Sequence, residues 1–221
     1  MYKRQGLGAW GAVQRFLGRK TLLSVETVAE VGLLNLFLGS LWLMAARLGL
    51  EPMGFKEPIV SLTAVHFHFT GFAATVFTAA LGRHLKKVGT PGRLLFAVLA
   101  FGVVIGMPSV AMGFIFSSIF KVGVVMWLCF NLIGIAALTL LSLRTIQNLQ
   151  SRWLLGISGV SLLLGMILAS IFGFGEFVHR PWLDILQMVH THGILNTFGF
   201  SLCGLAGWHL LDERSGGHGT Q

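Results

Sequence analysis

Residues 94–116 read LLFAVLAFGVVIGMPSVAMGFIF, without a single charged side chain. A helix of about 20 apolar residues is long enough to cross the hydrocarbon core of a bilayer, and this stretch is one. Working outward from it, five more apolar runs recur at short intervals: Leu22–Leu48, Pro58–Leu81, Val122–Leu143, Trp153–Phe174 and Leu183–Leu211. With Leu94–Phe116 they predict an all-α, polytopic transmembrane bundle of six spans over residues 22–211. The connecting loops are short, so consecutive spans are expected to be antiparallel neighbours.

Composition agrees. Of 221 residues, 54% are hydrophobic and 11% charged, where an average soluble domain has about 25% charged residues. Such a chain cannot present a wetted surface all round. A soluble enzyme, a disordered tail and a nucleic-acid-binding domain are all excluded on that ground. The net charge of +8 is instead read as positively charged loops on the cytoplasmic side of a membrane. Arg83, Lys86, Lys87 and Arg93 follow the second span, and Arg144 and Arg152 lie between the fourth and fifth. The alternate loops are sparser and mixed in sign: Arg47, Glu51, Lys56 and Glu57, then Lys121, then Glu176, Arg180 and Asp184. Both termini are therefore expected in the cytoplasm, with the chain in the cytoplasmic (inner) membrane of a bacterium. Residues 1–21 form a basic segment able to make an amphipathic turn or two at the membrane surface. Its opening MYKRQ resembles translated sequencing adaptor, and on that reading residues 1–5 are not native and the natural chain begins earlier. Residues 212–221 read as a polar, Gly-rich, frayed tail. Cys129 and Cys203 both lie in apolar runs and are read as packing residues.

The residues that invite chemistry are histidines. His84, His179, His209 and His218 fall at span ends, in a loop or in the tail; the other four form two His-x-His pairs inside spans, His66 with His68 and His190 with His192. Ionisable side chains within a bilayer are expensive and by default point to function. Counted from Pro58 and from Leu183, both pairs fall within about 10–15 Å of the outer surface at a rise of about 1.5 Å per residue. Residues i and i+2 of a helix point about 200° apart, so one pair cannot clamp a metal as i, i+4 histidines do. At most one histidine from each helix faces a common centre. On the sixth span, His192, Asn196, Gly199 and Cys203 form one stripe of polar or small residues, and His190, Thr197, Ser201 and Gly204 another. On the second, His66, Thr70 and Ala73 form one stripe and His68, Gly71 and Thr75 the other. Asn35 and Asn131 lie deep in the first and fourth spans, and Glu176 lies at the outer mouth. Pro108 marks a kink or a break in the third span.

The segments AVHFHFTGFAATVFTAALGR (64–83) and HTHGILNTFGFSLCGLAGW (190–208) together resemble the YndJ-like family of bacterial membrane proteins. The resemblance covers the second and sixth spans best. It implies an integral membrane protein, sometimes named a transporter, and it draws attention to His66, His68, Gly71, Phe72, His192, Gly193, Asn196, Gly199 and Phe200 without assigning them roles. A second resemblance is to the haem-ligating segment of haem-copper oxidase relatives, in which His-x-His is followed by Asn and Gly-Phe; here the interval from histidine to Asn196 is two residues longer.

Three readings follow. The first is small-molecule transport through a polar site built from His66, His68, His190, His192 and Asn196, with Asn35, Asn131 and Glu176 behind them. The second is an intramembrane enzyme using histidine as acid or base on a lipophilic substrate. The third is a haem or copper protein ligated by some of the four histidines, with methionines such as Met107, Met112, Met126 and Met188 available to copper. No nucleotide-binding motif appears. The expected partners are the lipid bilayer, a small-molecule ligand and, to enlarge the surface that six spans provide, a second copy of the chain.

Overall fold

The computed structural model describes residues 24–90 and 92–216. The basic 1–21 segment, with its MYKRQ opening, and the end of the 212–221 tail lie outside the described residues. Among the described residues, six helices are long and apolar enough to cross a membrane: α1 Val25–Arg47, α2 Ile59–Lys87, α3 Arg93–Phe116, α4 Ser118–Thr145, α5 Leu149–Phe177 and α6 Ile185–Asp212. Their boundaries fall within a few residues of the apolar runs. The helix of α6 continues through the segment Cys203–Gly216. Only 22–39% of each span's apolar window is buried; the other positions are half-buried or exposed, with Leu94, Ile119 and Phe130 among the exposed. That is the surface expected of helices that face lipid tails.

The helix starts are written in local sequence. Ser24 caps α1, accepting from Thr27 N at 3.1 Å. The Glu57 carboxylate accepts from Ser61 N and Oγ in the first turn of α2. Ser117 caps α4 through Phe120 N, and Asn148 caps α5 through the amides of Gln150 and Ser151. Asp184 and Gln187 form a reciprocal capping box at the head of α6. Each cap satisfies amides that the first helical turn leaves without partners. Pro108 lies inside α3, and the helix runs unbroken through it.

The chain divides into two compact units, the first ending at Ala79 and the second beginning at Ala80, within α2. In the first unit α1 packs along the first part of α2. Lipid tails are as apolar as leucine, so helices associate here through close packing rather than hydrophobic burial, which favours small residues at the seam. Gly32, Gly39 and Gly71 fill that role. A Cβ on Gly32 would lie 2.8 Å from Val76 Cγ2, and one on Gly71 2.9 Å from Asn35 Cβ.

In the second unit α3 packs on α4, α4 on α5, and α5 on α6. Gly102 and Gly106 of α3 lie against Asn131 and Leu128 of α4, and Gly159 of α5 lies against Leu140. On the α5–α6 seam, Gly165 meets Asn196, Gly199 meets Ser161 and Gly207 meets Leu155. Cys129 and Cys203 are free thiols.

Two helices depart from regular α geometry. α2 carries a π-helical stretch at Phe67–Ala74, and α6 carries two, Val189–Gly193 and Leu195–Leu202. These are the helices that hold the two His-x-His pairs. A π turn bonds i to i+5 and is a rare feature often found at functional sites.

Candidate functional site

The wide turns have a chemical cause in the sequence. His66 Nδ1 bonds Leu62 O at 2.7 Å, and His68 Nδ1 bonds Ala64 O at 2.8 Å. His190 Nδ1 bonds Leu186 O at 2.9 Å, Thr191 Oγ1 donates to Gln187 O at 2.7 Å, and Asn196 Nδ2 donates to His192 O at 2.8 Å. Each donor takes a carbonyl four residues back, the one a main-chain amide would use in an α-helix. A side chain inserted in that ladder perturbs the helix. Single hydroxyls do the same at Ser109 and Thr139 without widening their helices. The π stretches arise where such donors crowd together, at His66 with His68 and at His190, Thr191 and Asn196.

The same bonds fix the tautomers. A carbonyl oxygen can only accept, so each Nδ1 carries the proton and donates it. The fourth histidine follows suit across the α5–α6 seam, His192 Nδ1 donating to Gly165 O at 2.8 Å. In the neutral ring Nε2 is then the basic, ligating atom. All four intramembrane histidines thus present the same nitrogen for proton exchange or coordination, with the ring held by its other nitrogen, as in many working histidines.

Their surroundings differ. His66 and His190 are exposed, and His68 and His192 are half-buried. In the first unit, the His68 ring lies against the bare backbone of Gly39, where an added Cβ would come 2.8 Å from Nδ1. One turn along, Asn35, 4% exposed, donates to Gly71 O at 3.1 Å. The first unit therefore brings His68 and Asn35 onto one seam. In the second unit His192 and Asn196 converge on Gly165. Asn196 is 8% exposed, and a Cβ on Gly165 would lie 2.9 Å from its Nδ2. Interhelical hydrogen bonds in membranes average about 0.6 kcal/mol, so the His192–Gly165 tie holds the ring and can still open at thermal energies.

Two further expected site residues have contacts of a different kind. Asn131 is fully buried against Gly102; its Nδ2 donates to Trp127 O of its own helix, and its Oδ1 has no partner. Glu176 pairs with Lys121 at 2.7 Å, linking the ends of α4 and α5, while Lys121 also lies over the Phe114 ring. Among the described residues, no three His, Cys, Asp or Glu side chains gather as a metal set.

The expected stripes hold only in part. Along α6 the buried positions are Asn196, Phe200, Gly204 and Gly207, not Gly199 and Cys203, which are half-buried. The wide turn shifts the seam by one residue from Phe200 onward. Sequence reasoning also missed Gly165, whose role is played by a carbonyl that no side-chain pattern announces. Ser158 is a similar omission, donating to Phe200 O at 2.8 Å across the same seam.

A family model described as YndJ-like protein matches residues 5–200. A relative named "Uncharacterized membrane protein YndJ", from Bacillus subtilis (strain 168), is 29% identical over 189 residues, which is 86% of this chain and 34% of the relative. The chain thus spans about a third of that relative's length. No solved structure matches.

Proposed function

This chain belongs to the YndJ-like family of integral membrane proteins, and from that premise we propose that it moves a small molecule across the membrane. The candidate residues are His66 and His68 with Asn35 in the first unit, and His190, His192 and Asn196 in the second, each unit taken by itself. One observation carries the reading: His68, His190 and His192 lie on π-helical stretches and His66 immediately before one, and each ring is anchored through Nδ1, which leaves Nε2 as the basic nitrogen of the neutral ring. Irregular backbone at membrane depth is tolerated where it lines a protein-enclosed or watered space, and transporters build their sites on interrupted helices. His192, which bonds Gly165 O of α5, supplies a ring whose contacts change when α5 and α6 shift.

An intramembrane acid–base enzyme is the second reading. It is favoured by an apolar groove lined by Phe172, Pro181, Leu183, Ile185 and Leu186, with Glu176 and Asp184 at its edge. Leu186 is also the residue whose carbonyl holds His190.

The test is reconstitution into liposomes loaded with a pH-sensitive dye, with currents recorded on a supported membrane. The probes are acetate, methylamine, potassium and inorganic phosphate. One class is expected to give protein-dependent flux. His192→Ala should cut that flux about tenfold, the equivalent of one lost contact of about 1.4 kcal/mol. A folded protein that moves none of the four, by dye or by current, sinks the transport reading and leaves the enzyme.

A further inference from the structure

We propose that the turn between α4 and α5 seats the phosphate of an anionic phospholipid. The turn lies wholly in the second unit, at the opposite end of α5 from Glu176. It begins at Arg144, passes the α5 cap Asn148 and reaches Ser151 and Arg152 in the first turn of α5.

The first observation is a pair of buried donors without acceptors. Ser151 is fully buried and its Oγ has no hydrogen-bond partner; Asn148 Nδ2 is likewise shielded and unpartnered. The other end of the Asn148 amide is used, its Oδ1 accepting from the Gln150 and Ser151 amides. Buried polar atoms in proteins are almost always paired, so two unpartnered donors within one helical turn of sequence call for an acceptor. They stand at the start of a 29-residue helix, where the backbone itself favours negative charge.

Charge supplies the second observation. Arg144 and Arg152 are exposed on either side of the donors, and no Asp or Glu occurs anywhere between Glu57 and Glu176. More cations are held nearby through His84. The Thr145 hydroxyl gives its proton to Ser142 O at 2.7 Å, so it accepts from His84 Nε2 at 2.8 Å. That bond ties the end of α2, with exposed Arg83 and Lys86, to the α4–α5 turn. Leu149 and Trp153, in the same first turns of α5, are exposed, offering apolar contact for acyl chains and an aromatic ring suited to the headgroup level. A phospholipid with a net negative headgroup meets both needs, whereas a zwitterionic one brings its own cation into a basic site. Basic pockets between spans are known to hold such headgroups.

The full chain, purified in detergent and stripped of lipid, tests this by native mass spectrometry and thermal unfolding. The probes are phosphatidylglycerol, phosphatidylcholine and inorganic phosphate. Phosphatidylglycerol should be retained in preference to phosphatidylcholine and should raise the unfolding temperature. Arg144→Gln with Arg152→Gln should weaken its retention about thirtyfold, two cations being lost. Ser151→Ala, which keeps every charge, should weaken it about fivefold, and Arg180→Gln should leave it unchanged. Equal retention of the two lipids overturns the proposal, as does full retention by the double variant. Inorganic phosphate that displaces phosphatidylglycerol at equal concentration reassigns the site to a free anion. Should the double variant fail to fold, Ser151→Ala decides, and unchanged retention there removes the seat from the α5 terminus.

Discussion

At Gly199 the packing of α6 on α5 depends on the absence of one carbon: a Cβ there would fall on the Ser161 hydroxyl. Ser161 is itself buried, at 6% exposure, and has little room to withdraw. Gly199→Ala should therefore destabilise the protein by about 1–3 kcal/mol, the usual cost of overpacking. Ser161→Gly should restore most of that loss in the double variant, since the pair is in direct contact and single effects do not add for such neighbours. Unfolding in detergent, followed by tryptophan fluorescence for all four forms, gives the coupling; strictly additive effects would show that the seam relaxes elsewhere. The same residue-level chemistry governs the histidines. Carbonyls can only accept, so Leu62, Ala64, Leu186 and Gly165 fix the tautomer of four rings. His84 has the opposite tautomer, because its partner is a hydroxyl whose proton is already used. The two deep asparagines differ in their partners: Asn131 bonds its own helix and rests on Gly102, whereas Asn35 reaches the facing helix.

The element that carries the functional argument is α6 with its wide turns, and its seam makes them testable. The residues lining the interior follow the series 192, 196, 200, 204 and 207, too widely spaced in the middle for an α-helix. Remove one residue from the π stretch and the series closes to i, i+4, i+7, i+11 and i+14, the regular α-helical face. Deletion of Phe198, which is exposed, should thus keep α6 packed on α5, with stability within about 2 kcal/mol of the parent, while any flux carried by the histidines disappears. Deletion of exposed Leu164 in regular α5 is the control. It turns the rest of that helix by about 100° and should prevent folding. If both deletions unfold the protein alike, the wide turn is part of the packing and not a functional device. Why the sequence reveals the spans and hides these turns is a matter of range. Hydropathy is a sum over about twenty residues, so the six spans emerge within a few residues of their ends. Whether His190 takes a carbonyl from its own helix, while His192 reaches Gly165 on another, depends on single bonds that no sum records. The His-x-His spacing does mark the helices that carry the wide turns, because two strong donors so close together disturb the ladder. It could not mark Gly165 or Ser158, since one contributes a main-chain oxygen and the other reads as an ordinary small residue of a membrane helix.

At the scale of the whole molecule, charge and topology must agree. If all six helices cross, their even number would put the segments before α1 and after α6 on one face of the membrane. The loops on that face hold Arg83, Lys86, Lys87, Arg93, Arg144 and Arg152 with no carboxylate among them. The opposite loops pair their cations with Glu51, Glu57, Glu176 and Asp184. Orientation follows the excess of Lys and Arg in short loops near span ends, and acidic residues contribute little. The α2–α3 and α4–α5 turns should therefore be cytoplasmic, with the histidine pairs nearer the opposite face. A fluorescent protein fused after Gly216 should fold and fluoresce. Alkaline phosphatase fused in the α1–α2 or α5–α6 loop should be active, and the same enzyme fused in the α2–α3 loop inactive. The reverse pattern would overturn the orientation and move the histidines to the cytoplasmic half. The phospholipid seat constrains the result independently, because Arg144 and Arg152 serve both arguments. A variant carrying Arg144→Gln and Arg152→Gln retains Arg83, Lys86, Lys87 and Arg93 on the same face, enough to hold the topology. In that variant the fusion pattern should stay fixed while lipid retention falls, which separates a headgroup site from the general pull of a basic loop toward the cytoplasm.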